Sequence, residues 1–155
     1  MASETELRAL ITAGREGVLG TINRDGLPQL SNVLYLPGSD GHTVRISTTA
    51  DRLKARNLTR DPRAVLHVTG DDFWAYAVAQ GHATLTPPAA EPGDQACQEL
   101  LDVHSAFYGA QDQDVFFTEM IARQRLVIQL SLDHIYGIIA PAGRRPLPVP
   151  AGPPR

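Results

Sequence analysis

The strongest constraint on the fold is the regular recurrence of turn-forming residues, which divides the chain into short extended segments. The segment 23–26, Asn-Arg-Asp-Gly, separates an apolar run over 17–22 from an extended run over 29–36, and such turn chemistry between two runs predicts a β-hairpin. The segment 69–72, Thr-Gly-Asp-Asp, separates 64–68 from 73–86 in the same way. Further strands are predicted over 42–48, 126–130 and 135–139.

Few helices interrupt these strands. Ser3 and Glu6 form a capping-box pattern before a short helix that Gly14 could end with a left-handed residue. Helical spacing predicts three more helices: one capped by Asp51 that ends before Pro62, one over 97–107, and one over 115–122. Six or seven short strands with few helices favour a mainly β fold, an antiparallel and nearly closed barrel whose remaining edges a homodimer would cover.

Composition indicates one domain and excludes several classes of partner. The 155 residues suffice for one core, predicted over 1–140. Six of the fifteen residues from 141 to 155 are proline, which predicts a flexible tail. A net charge of −3 argues against nucleic acid and anionic membranes, and the acidic N-terminus argues against a signal peptide. No apolar run could cross a bilayer, and a lone Cys97 fits a reducing compartment. We therefore expect a cytoplasmic protein.

The densest group of cationic residues follows Ser47, Thr48 and Thr49. Its members are Arg52, Lys54, Arg56, Arg60 and Arg63. Guanidinium and ammonium groups beside hydroxyls and a helix start are typical of a phosphate site. However, the four-residue spacing of Arg52, Arg56 and Arg60 is also typical of a solvated helix face. The residues alone leave both interpretations open.

Two further groups could contact a flat heterocycle. Gln29 and Ser31 place amide and hydroxyl groups on one face of a predicted strand, where they could match the polar edge of a ring. Trp74 and Tyr76 are predicted to share a face of a later strand and could stack on such a ring. An outward polar face and aromatic packing in the core or at a dimer interface explain the same residues, so these alternatives stay open.

Other kinds of chemistry find little support in the sequence. The five histidines show no metal-ligand spacing, so no metal site is predicted. Cys97 lies on an apolar helical stripe and is interpreted as a packing residue. No glycine-rich dinucleotide or phosphate-loop motif is present. An acid–base enzyme without a cofactor is therefore disfavoured, and no catalytic side chain is assigned.

Three segments in order resemble a known superfamily. They are Pro-Gln-Leu-Ser-Asn-Val from Pro28, Arg-x-Lys-x-Arg-Asn-Leu-x-x-Asp-Pro-Arg-Ala from Arg52, and Trp-x-Tyr-Ala-Val-x-x-Gly from Trp74. This set resembles the flavin and deazaflavin oxidoreductases, often labelled pyridoxamine 5'-phosphate oxidase-like. The likeness is greatest to the actinobacterial branch that uses coenzyme F420, an 8-hydroxy-5-deazaflavin. It spans residues 7 to 139.

The resemblance implies a six-stranded, homodimeric split β-barrel with its cofactor in grooves between the subunits. It implies that Arg52 and Lys54 hold the phosphate or acidic tail with help from Ser47 and Asn57. By the same resemblance, three residues line the ring or its linker, and two aromatic residues wall the groove. The first three are Gln29, Ser31 and Asn32, and the aromatic pair is Trp74 and Tyr76.

The implied activity is hydride transfer between the reduced F420 and a small organic acceptor, with the protein supplying orientation and exclusion of water. Two alternatives stay open: an FMN-dependent oxidoreductase of the same superfamily, and a non-enzymatic carrier or sensor of the cofactor. Pyridoxamine phosphate oxidases carry substrate-binding Arg and His residues in a C-terminal segment. After residue 139 this chain has Arg144, Arg145 and Arg155 but no histidine, so vitamin B6 oxidation is doubtful.

Overall fold

The computed structural model describes residues 2–139, so the tail predicted over 141–155 lies outside the described residues. Within that range the chain forms four helices and eight strands. In chain order they are α1 (Glu4–Ala13), β1 (Glu16–Ile22), β2 (Pro28–Leu34), β3 (Leu36–Pro37), β4 (Thr43–Thr49), α2 (Leu53–Arg60), β5 (Arg63–Thr69), β6 (Tyr76–Leu85), α3 (Gln95–Tyr108), α4 (Gln113–Ala122), β7 (Arg125–Ser131) and β8 (His134–Ile138).

The strands form one curled antiparallel sheet in the order β2-β1-β5-β6-β7-β4-β3. Strand β8 lies off this path and pairs with β6. Every pairing is antiparallel, as the turn pattern predicts. The mainly β prediction with a few short helices is therefore confirmed. There are eight strands rather than six or seven because the predicted run over 29–36 breaks at Tyr35. There the chain crosses from a pairing with β1 to a pairing with β4.

The long strand β6 joins the two halves of the curled sheet. Its first part pairs with β5 and β8, whereas Ala83 to Leu85 pair with β7. The change of partner occurs at Gly81, where a Cβ atom would collide with the Ser131 backbone carbonyl. Ser131 Oγ accepts a 3.1 Å hydrogen bond from His82 N and donates one of 3.1 Å to His82 O. Glycine is required because the two strands approach too closely for any side chain.

Two hydrophobic clusters stabilise the domain. The larger one fills the barrel, because alternate residues of β4, β5 and β7 point inward, among them Ile46, Leu66 and Ile128. The smaller one lies outside the barrel, where Val127 of β7 meets apolar side chains of α3 and α4 such as Leu100. The α3–α4 hairpin is therefore a separate layer against the outer side of β7 and β4.

Local signals set most helix ends. The predicted capping box is present, because Ser3 Oγ accepts from Glu6 N and the Glu6 carboxylate accepts from Ser3 N. Helix α2 ends before Pro62 as predicted, but Arg52 rather than Asp51 occupies its N-cap position, since Asp51 accepts a hydrogen bond from Thr49 instead. Gly14 ends α1 in an extended conformation with φ −82°, not in the left-handed one predicted.

The prediction that Trp74 and Tyr76 share a strand face is wrong. Trp74 lies in the β5–β6 turn, where its backbone N–H donates to Asp72 Oδ1 and the Ala75 N–H donates to the Asp72 carbonyl. Strand β6 begins only at Tyr76. These hydrogen bonds to Asp72 compete with the sheet pairing that the aromatic residues favour.

None of the helices within residues 2–139 combines the length and the apolar character that crossing a bilayer requires.

Substitution of Gly81 tests the close approach of β6 and β7. We expect Gly81→Ala to lower the free energy of unfolding by about 2–3 kcal/mol or more, because a backbone atom must move to admit the methyl group. Chemical denaturation measures this change. Gly20→Ala is the matched control, since its nearest neighbour would be the flexible Leu30 side chain at 3.3 Å. Equal effects of the two substitutions would contradict the account of β6.

Candidate functional site

A cavity of about 420 Å³ opens where β4 ends and β7 begins, beside α2 and α3. Strand β2 supplies one wall, the end of β4 the floor, and the C-terminal turns of α3 the opposite wall. Its lining residues are Asn32, Val33, Leu34, Ser47, Thr48, Thr49, Arg52, Lys54, Val103, His104, Phe107, Tyr108, Arg123 and Arg125. The fold thus brings distant parts of the chain to one place.

Four cationic side chains converge on this cavity: Arg52, Lys54, Arg123 and Arg125. No carboxylate is among its described lining residues. Burial and the nearby Arg52 lower the pKa of Lys54, and burial and Arg123 lower the pKa of Arg125. These cations repel one another in a partly desolvated space, and an anion would relieve that repulsion.

Ser47 connects Arg125 to His104. The Arg125 guanidinium donates from Nε and Nη2 to Ser47 Oγ over 3.1 and 2.7 Å. The same Oγ lies 3.0 Å from His104 Nε2. A serine hydroxyl has two acceptor lone pairs and one proton, so the two arginine bonds leave only its proton for the histidine. We therefore assign His104 Nε2 as the acceptor, which makes the ring neutral with its proton on Nδ1.

The surroundings of His104 keep it neutral. Burial lowers its pKa, and the positive charge of Arg125 lowers it further, while Glu119 acts in the opposite direction. The ring packs edge-on against Phe116 with centroids 5.2 Å apart. A neutral imidazole also agrees with the hydrogen bonds assigned to Ser47.

The start of α2 adds backbone donors to the cavity wall. The other three helices have Ser3, Asp94 and Asp112 as side-chain caps, but Arg52 at the N-cap of α2 makes no such hydrogen bond. The first turn of α2 contains no acidic residue either. Its N–H groups and its positive dipole end thus favour an anion beside Arg52 and Lys54.

The structure gathers four of the nine predicted site residues in this cavity: Asn32, Ser47, Arg52 and Lys54. Gln29 and Ser31 precede Asn32 on β2 and point to the barrel side, where Gln29 Oε1 accepts from Thr21 Oγ1 over 2.8 Å. Ser31 Oγ is buried and has no hydrogen-bond partner among the described residues. A polar atom in this state has capacity for a water or ligand.

Asn57 lies in the protein interior rather than at the cavity. It is 1% exposed, and its Nδ2 donates to Thr21 Oγ1 at 3.1 Å and to Asn23 Oδ1 at 3.0 Å. These bonds tie α2 to the β1–β2 hairpin. The position of Asn57 therefore orients the helix that carries Arg52 and Lys54.

Trp74 and Tyr76 lie outside the cavity of the same chain. Trp74 is 48% exposed and contacts Phe73 edge-on, with centroids 5.0 Å apart. Tyr76 stacks on His67 with centroids 5.5 Å apart on the outer face of the sheet.

Sequence reasoning missed the other polar residues of the cavity. His104 lies at helical spacing within the helix predicted over 97–107, and the sequence assigns no role to Arg123 or Arg125. No local pattern marks them, because they reach the site through the pairing of Ser47 with Val127 between β4 and β7. Only the sheet topology reveals the connection.

Comparison with known proteins identifies the family. Residues 3–138 match the family model described as pyridoxamine 5'-phosphate oxidase. The chain therefore belongs to this family of flavin-binding oxidoreductases with a split β-barrel.

Solved structures share this fold. The conserved hypothetical protein Rv2991 from Mycobacterium tuberculosis is 22% identical, with a TM-score of 0.66 over 92% of this chain and 94% of that one. A structure named F420 reductase is 17% identical, with a TM-score of 0.66 over 88% and 98%. An FAD-binding protein from Mesorhizobium loti is 17% identical, with a TM-score of 0.59 over 86% and 92%. At these identities the likeness establishes the fold alone.

Substitution of Asn57 tests its structural position. Asn57→Ala should lower the free energy of unfolding by about 2 kcal/mol, because it leaves buried hydrogen-bonding groups without partners. Asn32→Ala, which removes an exposed amide at the cavity, should change it by less than about 0.5 kcal/mol. Thermal and chemical denaturation of both variants measure the difference. Comparable stabilities would show that the buried network around Asn57 does not hold α2.

Proposed function

We propose that this chain is an oxidoreductase that uses coenzyme F420 to transfer a hydride between the deazaflavin ring and a small organic acceptor. The observation that carries the proposal is the convergence of Arg52, Lys54, Arg123 and Arg125 on one cavity without a lining carboxylate. Such a cavity fits a cofactor with an extended acidic tail. Membership in a family of flavin-binding oxidoreductases supports the redox chemistry.

The number of cations favours the deazaflavin over FMN. FMN ends in a single phosphate, whereas the tail of coenzyme F420 continues from its phosphate into carboxylate groups. Arg52 and Lys54 at the start of α2 suffice for one phosphate. Arg123 already pairs with Glu119 over 2.9 Å, but Arg125 donates only to Ser47 and would remain without an anionic partner beside FMN. A longer acidic ligand would supply a partner for Arg125 as well.

The residues present fit the cofactor as follows. Arg52, Lys54 and the free N–H groups of α2 would hold the phosphate, with hydroxyls of the β4 end nearby. When bound, the deazaflavin ring supplies two-electron hydride chemistry. Asn32 would line the ring or its linker, whereas Gln29 and Ser31 face the barrel side of β2 and do not line this cavity.

The protein's own contribution is orientation and exclusion of water. The α3 wall presents Phe107 and Tyr108, which shield the cations of the cavity on one side. Strong charge-assisted hydrogen bonds to the tail would fix the position of the ring without contacting its reactive atoms. A protein that orients the cofactor and excludes water, while the cofactor supplies the redox chemistry, needs no side-chain nucleophile, and none is evident among the described residues of the site.

A homodimer would complete the groove. The outer face of β2, β1, β5, β6 and β8 carries exposed apolar side chains where a solvated sheet face would be polar, including Leu30 (66% exposed), Tyr136 (44%) and Ile138 (51%). A shallow outer cavity of about 620 Å³ lies on this face. Asn32 borders both this face and the cation cavity. We propose that a second copy covers the face and brings its Trp74 and Tyr76 to the groove.

A charge on the outer face tests the dimer. Leu30→Glu should convert the dimer to a monomer and weaken cofactor binding together, because a carboxylate cannot be buried unpaired in an apolar interface. Light scattering coupled to size-exclusion chromatography gives the mass. Val115→Glu, at a residue 68% exposed on α4, is the control and should leave the mass unchanged. A monomeric wild-type protein that binds cofactor fully would refute the intersubunit groove.

Cofactor titration tests the proposed function. Purified protein freed of cofactor should bind coenzyme F420 more tightly than FMN, followed by Trp74 and cofactor fluorescence. Replacing Arg52 and Lys54 together with alanine should raise the Kd for F420 at least about a hundredfold, because two charge-assisted contacts are lost. Arg56→Ala is the control, since Arg56 lies on the same helix but borders a different depression.

The outcomes separate the alternatives. Preference for FMN and reaction of the reduced protein with oxygen would move the chain to the FMN-dependent branch. Tight F420 binding without oxidation of the reduced cofactor by any enone, quinone or imine would favour a carrier or sensor. An unchanged Kd in the double variant would remove Arg52 and Lys54 from the site.

A further inference from the structure

The hydrogen bonds of Ser47 run in one direction, from Arg125 through the hydroxyl to His104. Ser47 Oγ accepts from Arg125 Nε and Nη2 over 3.1 and 2.7 Å, and we assign it as the donor to His104 Nε2, which lies 3.0 Å away. All three hydrogen-bonding positions of the hydroxyl are thereby used. The hydroxyl points at the histidine, and two N–H groups of Arg125 point at the serine instead of into the cavity.

A proton on His104 would reverse this arrangement. Protonated Nε2 is a donor, so the Ser47 hydroxyl could no longer donate to it and would have to turn away. The new N–H would also compete for Ser47 Oγ, whose two lone pairs already accept from Arg125. Protonation therefore releases the serine O–H and one arginine N–H as donors.

Both released donors need an acceptor, and the cavity is where an acceptor can bind. Ser47, Arg125 and His104 all line it. Without a bound anion, the donors would be left in a partly buried space with other cations, which costs free energy. With an anion, the same donors make charge-assisted hydrogen bonds.

The groups that face His104 agree with this coupling. Arg125 on β7 and Arg123 after α4 oppose its protonation, Glu119 on α4 favours it, and the Tyr108 ring of α3 lies with its centroid 6.0 Å away. Burial and these arginines hold the pKa of the free histidine below its usual value. An anion that neutralises the arginines would remove the largest electrostatic opposition.

We propose that His104 is a positioning residue that takes up a proton when an anionic group of phosphate or sulfate type enters the cavity, turning the Ser47 hydroxyl and an Arg125 N–H toward that group. The inference rests on the proposed function to the extent that the cofactor tail is the anion. Anion affinity should then rise as the pH falls through the pKa of His104, because the bound state holds one more proton than the free state.

Residue-specific NMR of the cofactor-free protein tests the coupling directly. The probe is inorganic sulfate, which keeps its double charge over the whole pH range in which histidine titrates. In free protein at neutral pH, His104 should be the tautomer protonated on Nδ1. Saturating sulfate should raise its pKa by about one unit, equivalent to about tenfold tighter sulfate binding to the protonated form. The same titration is then made with coenzyme F420. It again measures the pKa of His104 from the NMR signals of the ring nitrogens, so the result does not depend on any reaction of the cofactor.

Variants identify the residue responsible. In His104→Gln, whose amide oxygen can still accept from Ser47 but cannot take up a proton, sulfate affinity should not depend on pH between about 5.5 and 8. His42→Gln, which removes an exposed histidine outside the cavity, should keep the wild-type pH dependence. In Ser47→Ala, sulfate should no longer change the pKa of His104. Chemical denaturation of this variant checks that its fold is retained.

Each outcome decides between the two proposals. A His104 pKa that does not move with sulfate or F420, a proton on Nε2 in the free protein, or wild-type pH dependence in His104→Gln would overturn the inference. F420 binding with an unmoved His104 pKa would overturn it and leave the proposed function intact. A raised pKa with sulfate in a protein that does not bind F420 would support the coupling and reject F420 as the cofactor.

Discussion

The change of partners along β6 is the constraint on which the rest of the structure depends. One strand pairs with β5 and β8 and then with β7, and Gly81 allows this change because the Ser131 carbonyl occupies the space that a side chain would need. Along its whole length, β7 also pairs with β4. That pairing brings Arg125 beside Ser47 and builds the floor of the cation cavity.

The cavity is costly to maintain without a ligand. Four cations and the start of an uncapped helix face the same space, and the pKa values of Lys54 and Arg125 are lowered by burial and, further, by neighbouring arginines. Such an arrangement contributes nothing to folding that an apolar wall would not provide better. Its presence is therefore an argument for anion binding, because an anion that neutralises the charge would relieve the repulsion.

The sequence predicts those parts of the molecule that depend on neighbours along the chain. The hairpin turns, the capping box of α1 and the end of α2 before Pro62 all follow from local chemistry and are confirmed. The prediction that Trp74 lies on a strand failed because a hydrogen bond to Asp72 holds it in a turn, against the preference of tryptophan for strands. The place of Arg123 and Arg125 in the site was not predicted, because it depends on a strand pairing between residues 78 positions apart. No local pattern in the sequence indicates that pairing.

The two hydrophobic clusters explain how such a site can be adjusted without damage to the barrel. Arg52, Lys54 and Ser47 belong to elements of the main core, whereas His104, Phe107 and Tyr108 belong to the α3–α4 layer, which has its own core around Leu100 and Val127. Changes on the cavity face of α3 therefore alter the shape and the protonation chemistry of one wall while the cations that define the anion site stay in place. In this architecture the barrel fixes where an anion binds, and the helical layer sets the conditions under which it does so.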